Sequence, residues 1–236
     1  MRVKSLLRRV APCLALLAAV VAPARAQAYG EPTWPRYALG VGAGAFVPQG
    51  ALADQASTNA AWELLLSLRP RGWRVLGVRV TGQFVEYGRS DTTYALPGVD
   101  VDTRTGSSLV WITLGPEVLI GSGPLRALGH AGIGLGSAMT QTSIRASTND
   151  VGHTNHRDNA MAFEAGAALA WLPLRSGLLV VELGGRWVGT GALEHVPGSG
   201  IRRAAGELVL SPRRDELQGI VLRAALGVAL DRWPRR

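Results

Sequence analysis

The stretch NAMAFEAGAALAWL, Asn159 to Leu172, decides the fold because bulky and small side chains alternate along it. Met161 and Phe163 stand at bulky positions, and Glu164 and Gly166 stand between such positions. Successive side chains of a β-strand point to opposite faces of the sheet. A period of two over this length therefore predicts a strand with one bulky apolar face and one face of small or charged residues.

The same alternation recurs elsewhere in the chain and predicts eight strands in all. No segment after the N-terminus reaches the 18 consecutive apolar residues that a membrane-spanning helix needs, so a polytopic helical protein is excluded. The predicted strands are Tyr37 to Val47, Ala60 to Arg69, Trp73 to Tyr87, Ser108 to Gly121, Leu125 to Met139, Asn159 to Leu172, Gly177 to Val188 and Leu217 to Leu230.

The N-terminus has the pattern of an export signal. Four basic residues in the first nine positions precede an apolar run from Val10 to Val21, and Ala24-Arg25-Ala26 is a small-x-small cleavage pattern. The run is too short for a comfortable transmembrane helix. We predict a signal peptide over residues 1–26 and a single barrel domain over residues 27–236.

Charge and composition exclude several classes of function. The formal charge is +8, but five basic residues lie in the predicted signal peptide and leave 20 arginines against 17 acidic residues. A nearly balanced chain without a basic patch between aromatic residues is not expected to bind nucleic acid. The only cysteine is Cys13, so the predicted domain has no disulfide. We predict no cofactor, since the run Gly40-Val-Gly-Ala-Gly44 lacks the spacing of a phosphate-binding loop.

Two further patterns indicate that the bulky face points outward into a membrane. The polar faces carry small residues and a few charges, which suits a narrow lumen. Short and long connections alternate, as in outer-membrane barrels, where the short turns face the periplasm. The short ones are Pro70 to Gly72, Ser122 to Pro124 and Pro173 to Ser176; the long ones are Pro48 to Asn59, Gly88 to Ser107, Thr140 to Asp158 and Gly189 to Glu216.

Aromatic residues near the strand ends predict two girdles, one at each membrane interface. Tyr37, Trp73, Trp171 and Trp233 are expected at the short-turn end, and Trp62, Tyr87, Trp111 and Trp187 toward the long loops. The predicted fold is all-β: an eight-stranded antiparallel up-and-down transmembrane β-barrel.

The charges on the inward faces are expected to form one layer, four to nine residues from the short-turn end. We expect Arg79 to neighbour Glu117, and Arg186 to reach Glu164 or Glu182. Because charges removed from water require partners, we predict a plugged lumen and no open pore. The predicted layer consists of Glu63, Arg79, Glu117, His130, Glu164, Glu182, Arg186 and Arg223. An ion gate built on these pairs is the functional alternative to a purely structural plug.

The whole predicted domain resembles the small eight-stranded outer-membrane β-barrels of the OmpA, OmpX and OmpW kind. One local feature, Gly44-Ala-Phe-Val-Pro-Gln-Gly50, looks like the first strand and loop of that group. The resemblance implies a non-enzymatic protein of the cell outer membrane with a structural or surface-interaction role through its loops. Its expected partners are outer-membrane lipid, lipopolysaccharide and a surface ligand, and the chain is expected to be a monomer.

Two other functions stay open at this point. An outer-membrane lipid-modifying hydrolase would use a His-x-Ser-Asn pattern, but the nearest match here, His156-Arg157-Asp158-Asn159, has Asp in place of the nucleophilic Ser. A soluble periplasmic barrel that binds a small apolar ligand would place the bulky face inward. His153 and His156 lie in a polar loop without a scaffold for a metal, so no metal site and no catalytic residue are predicted.

Overall fold

The computed structural model describes residues 34–54, 56–73, 75–96, 99–146, 149–174, 176–195, 201–204 and 207–232. The predicted signal peptide and Trp233 lie outside these residues. Among the described residues, no helix is long and apolar enough to cross a membrane.

Ten strands form in the described part of the chain. They are β1 (Tyr37–Gln49), β2 (Asn59–Leu68), β3 (Leu76–Leu96), β4 (Val99–Ile120), β5 (Leu125–Ala146), β6 (Asn149–Trp171), β7 (Leu179–His195), β8 (Ile201–Ala204), β9 (Glu207–Leu210) and β10 (Arg213–Ala229). Eight of them close into a barrel in which β1 to β7 follow one another and β10 lies between β7 and β1. All neighbours are antiparallel, so the predicted eight-stranded up-and-down barrel is confirmed. Strands β8 and β9 form a separate two-stranded sheet.

The barrel places its bulky residues outside. Ile112 on β4 and Leu135 on β5 are 60% and 67% exposed, and Met161 and Phe163 on β6 are exposed as well. We call this surface the apolar belt; its other large members include Leu39, Val41, Leu64, Phe84, Leu114, Ile120, Ile133, Leu169, Ile220, Leu222 and Leu226. A soluble barrel for an apolar ligand needs the opposite arrangement, with the bulky face inside.

The short connections lie at one end of the barrel, which we call the short-turn end. Between β2 and β3 the chain turns at Gly72, whose φ of 91° lies in the region that glycine adopts readily. Gly177, between β6 and β7, has a φ of 66°. Residues 34–36 cross this end: the Trp34 indole donates to the carbonyl of Gly123, and the Arg36 backbone N–H donates to Asp231.

Three segments predicted as long loops are largely strands in the structure. Residues 88–96 and 99–107 continue β3 and β4, and residues 140–146 and 149–158 continue β5 and β6. The predicted loop from Gly189 to Glu216 contains the end of β7, the hairpin of β8 and β9, and the start of β10. The prediction was wrong because it followed apolar alternation, whereas these segments pair through polar side chains. Thr93, for example, donates to Asp102 across the β3–β4 pair at 2.7 Å.

The extended strands form a four-stranded sheet that projects beyond the apolar belt. Pairing of β2 with β3 ends at Ala61 and Val85, and pairing of β6 with β7 ends at Ala162 and Thr190. Beyond these levels β3, β4, β5 and β6 remain paired with one another, and we call this part the projecting sheet. Eleven residues of β3, at 3.4 Å each, give it a length of roughly 35 Å.

The end of the barrel opposite the short turns carries the long hairpins of β3 to β6, and we call it the long-hairpin end. Its aromatic girdle differs from the prediction. Trp62 and Trp187 are exposed as expected, but Tyr87 and Trp111 are buried in the lumen. Trp111 directly precedes Ile112, whose side chain points outward, so the Trp111 side chain points into the lumen. Its indole can lie there because this part of the lumen is lined by apolar side chains. At the short-turn end Tyr37, Trp73 and Trp171 are exposed.

Candidate functional site in the lumen

All eight charged or titratable residues predicted for the lumen are buried and lie on the inner face of the barrel. Several of them lie directly beside residues of the apolar belt; Glu63 follows Trp62 and precedes Leu64, and Glu164 follows Phe163. They are contributed by seven strands: Glu63 from β2, Arg79 from β3, Glu117 from β4, His130 from β5, Glu164 from β6, Glu182 and Arg186 from β7, and Arg223 from β10.

The carboxylate of Glu117 pairs with the side chains at the short-turn end of the charged layer. Arg79 donates to its Oε2 at 2.9 Å, and the hydroxyl of Ser67 donates to its Oε1 at 2.8 Å. Arg69 also pairs with Oε1 and donates to the carbonyl of Pro35 at 3.2 Å. This arrangement links the lumen layer to the segment that crosses the short-turn end.

Glu182 connects opposite sides of the lumen. It accepts two hydrogen bonds from Arg79, at 3.2 Å on Oε1 and 2.7 Å on Oε2. Its Oε2 also accepts a hydrogen bond from Arg223 at 2.8 Å. Two guanidiniums on one fully buried carboxylate fix the positions of all three side chains.

Glu63 and Arg186 complete the layer toward the long-hairpin end. Glu63 pairs with Arg223 at 2.5 Å and with Arg186 at 2.7 Å. Arg186 also lies 3.4 Å from Glu164 and donates to the amide oxygen of Gln83 at 2.6 Å. Arg186 thus reaches Glu164, one of the two partners expected for it.

Arg69 also belongs to this layer, although it was not among the residues predicted for it. Arg69 was placed at the end of its predicted strand, beside a turn, although Glu63, Leu65 and Ser67 share its parity. That period of two is the signal that points Arg69 inward. With Arg69 included, four guanidiniums face four carboxylates, so the described lumen charges balance without the histidine.

Glycines give the charged side chains their room. Gly166 on β6 pairs with His130 on one side and Arg186 on the other. A Cβ at this position would lie 2.5 Å from the Cβ of Arg186 and 2.7 Å from Cε1 of His130. The Glu63 side chain likewise occupies the space above Gly42, where a Cβ would be 2.5 Å from Oε1. Small residues on the inner face are therefore required by the ion pairs.

Two apolar layers enclose the charged layer. On the long-hairpin side a buried cluster fills the lumen; its largest members are Phe46, Leu52, Val85, Tyr87, Leu109, Trp111 and Leu193. Phe46 and Trp111 are in contact, with ring centroids 6.2 Å apart. On the short-turn side Trp34 packs against two smaller clusters that include Leu119, Leu128 and Leu172. The charges are thus separated from both ends of the barrel by apolar side chains.

The two loop histidines whose side chains are described, His156 and His195, each face one carboxylate. His195 is fully buried beyond the apolar belt, with Nε2 3.3 Å from Asp215 and its ring 6.2 Å from that of Tyr87. Burial lowers the pKa of His195, although Asp215 partly opposes this shift. His156 lies 3.9 Å from Glu194. Among the described residues no group of three or more His, Cys, Asp or Glu could hold a metal ion.

Asp158 joins two strands that are no longer paired. Its carboxylate accepts hydrogen bonds from the backbone N–H groups of Glu194, at 2.6 Å, and Asn159, at 2.8 Å. These two bonds hold the pKa of Asp158 below its usual range. The side chain therefore bridges β6 and β7 just beyond the point where their pairing ends.

No model of a known protein family matches the chain, and no curated protein matches it in sequence. Several solved structures are similar to it. Neisserial surface protein A covers 82% of this chain and 97% of its own, with 10% identity and a TM-score of 0.44. Ail, the attachment invasion locus protein of Yersinia pestis, in complex with the heparin analogue sucrose octasulfate, covers 83% of this chain and 98% of its own, with 13% identity and a TM-score of 0.42.

A third similar structure is the N-terminal β-barrel domain of OprF from Pseudomonas aeruginosa. It covers 80% of this chain and 96% of its own, with 11% identity and a TM-score of 0.35. The likeness is one of fold. The closed eight-stranded antiparallel barrel of this chain is the architecture predicted from its sequence.

Proposed function

We propose that this chain is a non-enzymatic protein of the cell outer membrane that spans the bilayer as a closed barrel and acts through the surface of its projecting sheet. The observation that carries the proposal is the distribution of side chains across the barrel wall. Exposed bulky residues form the apolar belt, and the ion pairs lie inside. Only a surrounding of lipid makes that arrangement favourable, because in water the apolar belt would be exposed.

The lumen is proposed to be a structural plug. Eight-stranded barrels have an interior just wide enough for side chains to fill. Here the charged layer lies between two apolar layers, and an ion would have to pass both. The ion pairs provide rigidity, since removing one partner leaves an uncompensated buried charge.

The projecting sheet is proposed to be the interacting part of the molecule. Its outer surface carries charges of both signs, such as Arg89 and Arg104 on either side of Asp91. Exposed arginines at this end can bind the phosphates of lipopolysaccharide through paired N–H donors. A surface ligand that contacts these strands would meet polar residues in a defined register.

The structure offers support for a non-enzymatic role. Asp158, which stands where a lipid-modifying hydrolase of this kind would have its nucleophilic Ser, is engaged by two backbone N–H groups. His156, the histidine of that pattern, lies 3.9 Å from Glu194. The pattern therefore offers this histidine no hydroxyl nucleophile at position 158.

Fractionation followed by electrophoresis tests the location and the closed barrel. The full-length precursor is expressed in a Gram-negative host, membranes are separated on a density gradient, and samples are run with and without boiling. We expect the protein in the outer-membrane fraction and a faster band without boiling. Recovery from the aqueous periplasmic fraction would overturn the proposal.

Planar bilayers test the plug separately. The purified protein is reconstituted, and current is recorded in 1 M KCl. We expect no reproducible single-channel conductance. A large and steady conductance would show that the layers do not close the lumen.

A further inference from the structure

The two ends of the barrel differ in charge. At the short-turn end the described residues include Arg36, Arg71 and Arg232, all exposed, and Asp231 is the one acidic residue exposed there. Arg126 at the same end is half-buried and lies over the Trp34 ring, 5.3 Å from its centroid. The long-hairpin end has a different pattern, because acidic residues accompany its arginines.

The exposed arginines at the two ends of the barrel differ in their acidic neighbours. On the projecting sheet, Arg89 lies 3.0 Å from Asp91, and Arg104 lies 3.6 Å from the same carboxylate. At the short-turn end, Asp231 accepts the backbone N–H of Arg36, and Glu117, the acidic residue of the lumen layer nearest this end, is buried. The short-turn end is therefore cationic in the described part of the chain.

The cationic residues lie at the level of a membrane interface. Arg36 is next to Tyr37 and Arg71 is two residues from Trp73, and both aromatic side chains are about half exposed, at 45% and 51%. Tyrosine and tryptophan concentrate at the headgroup level of bilayers. Leu125 and Leu230 at the same end are exposed and extend the apolar belt to this height. The arginines are thus within reach of lipid headgroups.

We propose that Arg36 and Arg71 bind the phosphates of anionic phospholipid headgroups in the leaflet at the short-turn end. Guanidinium groups match phosphate oxygens with paired N–H donors. Basic residues near an anionic membrane surface are attracted to it, and salt screens this attraction. The neighbouring aromatic residues and the apolar belt favour a lipid over a soluble anion as the source of the phosphate. This inference rests on the proposed function, because it requires the chain to span a bilayer.

The test compares folded protein in nanodiscs of phosphatidylcholine alone and of phosphatidylcholine with 30% phosphatidylglycerol. The readout is the temperature at which half of the fast-migrating band is lost. We expect phosphatidylglycerol to raise this midpoint by about 3 °C or more for two bound phosphates, and 0.5 M NaCl to abolish the rise. The variant R36Q/R71Q is expected to lose at least half of the rise.

The matched control is R89Q/R104Q, which removes two exposed arginines at the other end and is expected to keep the full rise. Free inorganic phosphate added to phosphatidylcholine discs is expected to produce no shift. Equal rises in the wild type and R36Q/R71Q, or no rise in the wild type, would overturn the inference. If R36Q/R71Q does not fold, the wild-type protein in 0.5 M NaCl provides the test. A rise in the midpoint that persists at this salt concentration would overturn the inference. A chain that folds in neither disc would contradict the proposed function itself.

Discussion

Arg79 and Glu182 are 103 positions apart in the chain and are joined across the lumen by two hydrogen bonds of 3.2 and 2.7 Å. Arg79 comes from β3 and Glu182 from β7, four strands away around an eight-stranded barrel. The pair therefore spans the lumen between opposite walls. Because Glu182 also binds Arg223 on β10, one carboxylate ties three strands together.

Replacing Glu182 with Gln is expected to destabilise the barrel strongly. The amide leaves Arg79 and Arg223 with less negative charge in a buried layer, and removal of one partner from a buried pair costs about 3–5 kcal/mol. Unfolding in urea with lipid vesicles measures the change. Glu194→Gln is the control, because Glu194 lies outside the lumen network. A Glu182→Gln variant as stable as the wild type would show that the pairs do not stabilise the barrel.

Gly166→Ala is expected to lower the free energy of unfolding by about 1–3 kcal/mol, since the added methyl group would overpack the layer between Arg186 and His130. Gly129→Ala is a matched control: Gly129 is also a barrel glycine, and a Cβ there would meet nothing within 4 Å. We expect this control to change stability by less than about 0.5 kcal/mol. If both substitutions have the same effect, the proposed role of lumen glycines is wrong.

Trp111→Ala is expected to destabilise the barrel by about 3–5 kcal/mol but to leave it closed to ions. The indole is part of the apolar layer on the long-hairpin side. In the variant, the charged layer and the apolar side chains around Trp34 still close the lumen toward the short-turn end. Conductance measurements on the folded variant check this result. Steady channels in Trp111→Ala alone would mean that the apolar layer is the only barrier.

Stability is expected to fall as the pH drops below about 6.5, in part through His195. Burial lowers the pKa of His195 in the folded state, so the unfolded chain takes up its proton first, at about pH 6.5. The contribution of neutral His195 to the free energy of unfolding is therefore complete above pH 6.5, and it is lost as the pH falls toward the pKa of His195 in the folded state. We expect His195→Gln to lose less stability than the wild type between pH 7.5 and pH 5.0. An unchanged pH dependence in urea unfolding would contradict this role for His195.

A second titration separates Asp158 from His195. The backbone hydrogen bonds that hold the pKa of Asp158 low stabilise the folded state above the usual pKa of an aspartate, about 3.9. That contribution is lost as the pH falls below this value, so Asp158→Asn should differ from the wild type at pH 7 and much less at pH 3. A difference that persists at pH 3 would mean that the hydrogen bonds do not depend on the charge of Asp158.

The barrel itself was predictable from sequence because lipid on one side and a narrow lumen on the other impose a strict period of two. That period located Met161 and Phe163 outside and Glu164 inside. The extensions of β3 to β6 were not predictable in the same way. Their two faces are both polar, so Thr93 and Asp102 pair without any apolar alternation to reveal the strand.

The period of two predicted which charged residues face the lumen, but it did not predict which of them form ion pairs with one another. Arg79 and Glu117 lie on adjacent strands, and their contact followed from the predicted order. The contact of Arg186 with Glu63 crosses the lumen from β7 to β2, and its formation depends on side-chain length and on the room left by glycines. At the girdle the period of two was the better guide: the aromatic character of Trp111 suggested an interface, whereas its alternation with Ile112 pointed inward, where the side chain lies.

Spin labels on the apolar belt test the central claim most directly. Because Cys13 is the only cysteine, a Cys13→Ala chain carries no other site for labelling. A label at Leu135→Cys, the most exposed large apolar position among the described residues, is expected to be accessible to oxygen and shielded from a water-soluble nickel chelate in reconstituted vesicles. A label at Arg89→Cys on the projecting sheet is expected to show the reverse. Free access of the nickel chelate to position 135 would contradict a membrane-spanning barrel.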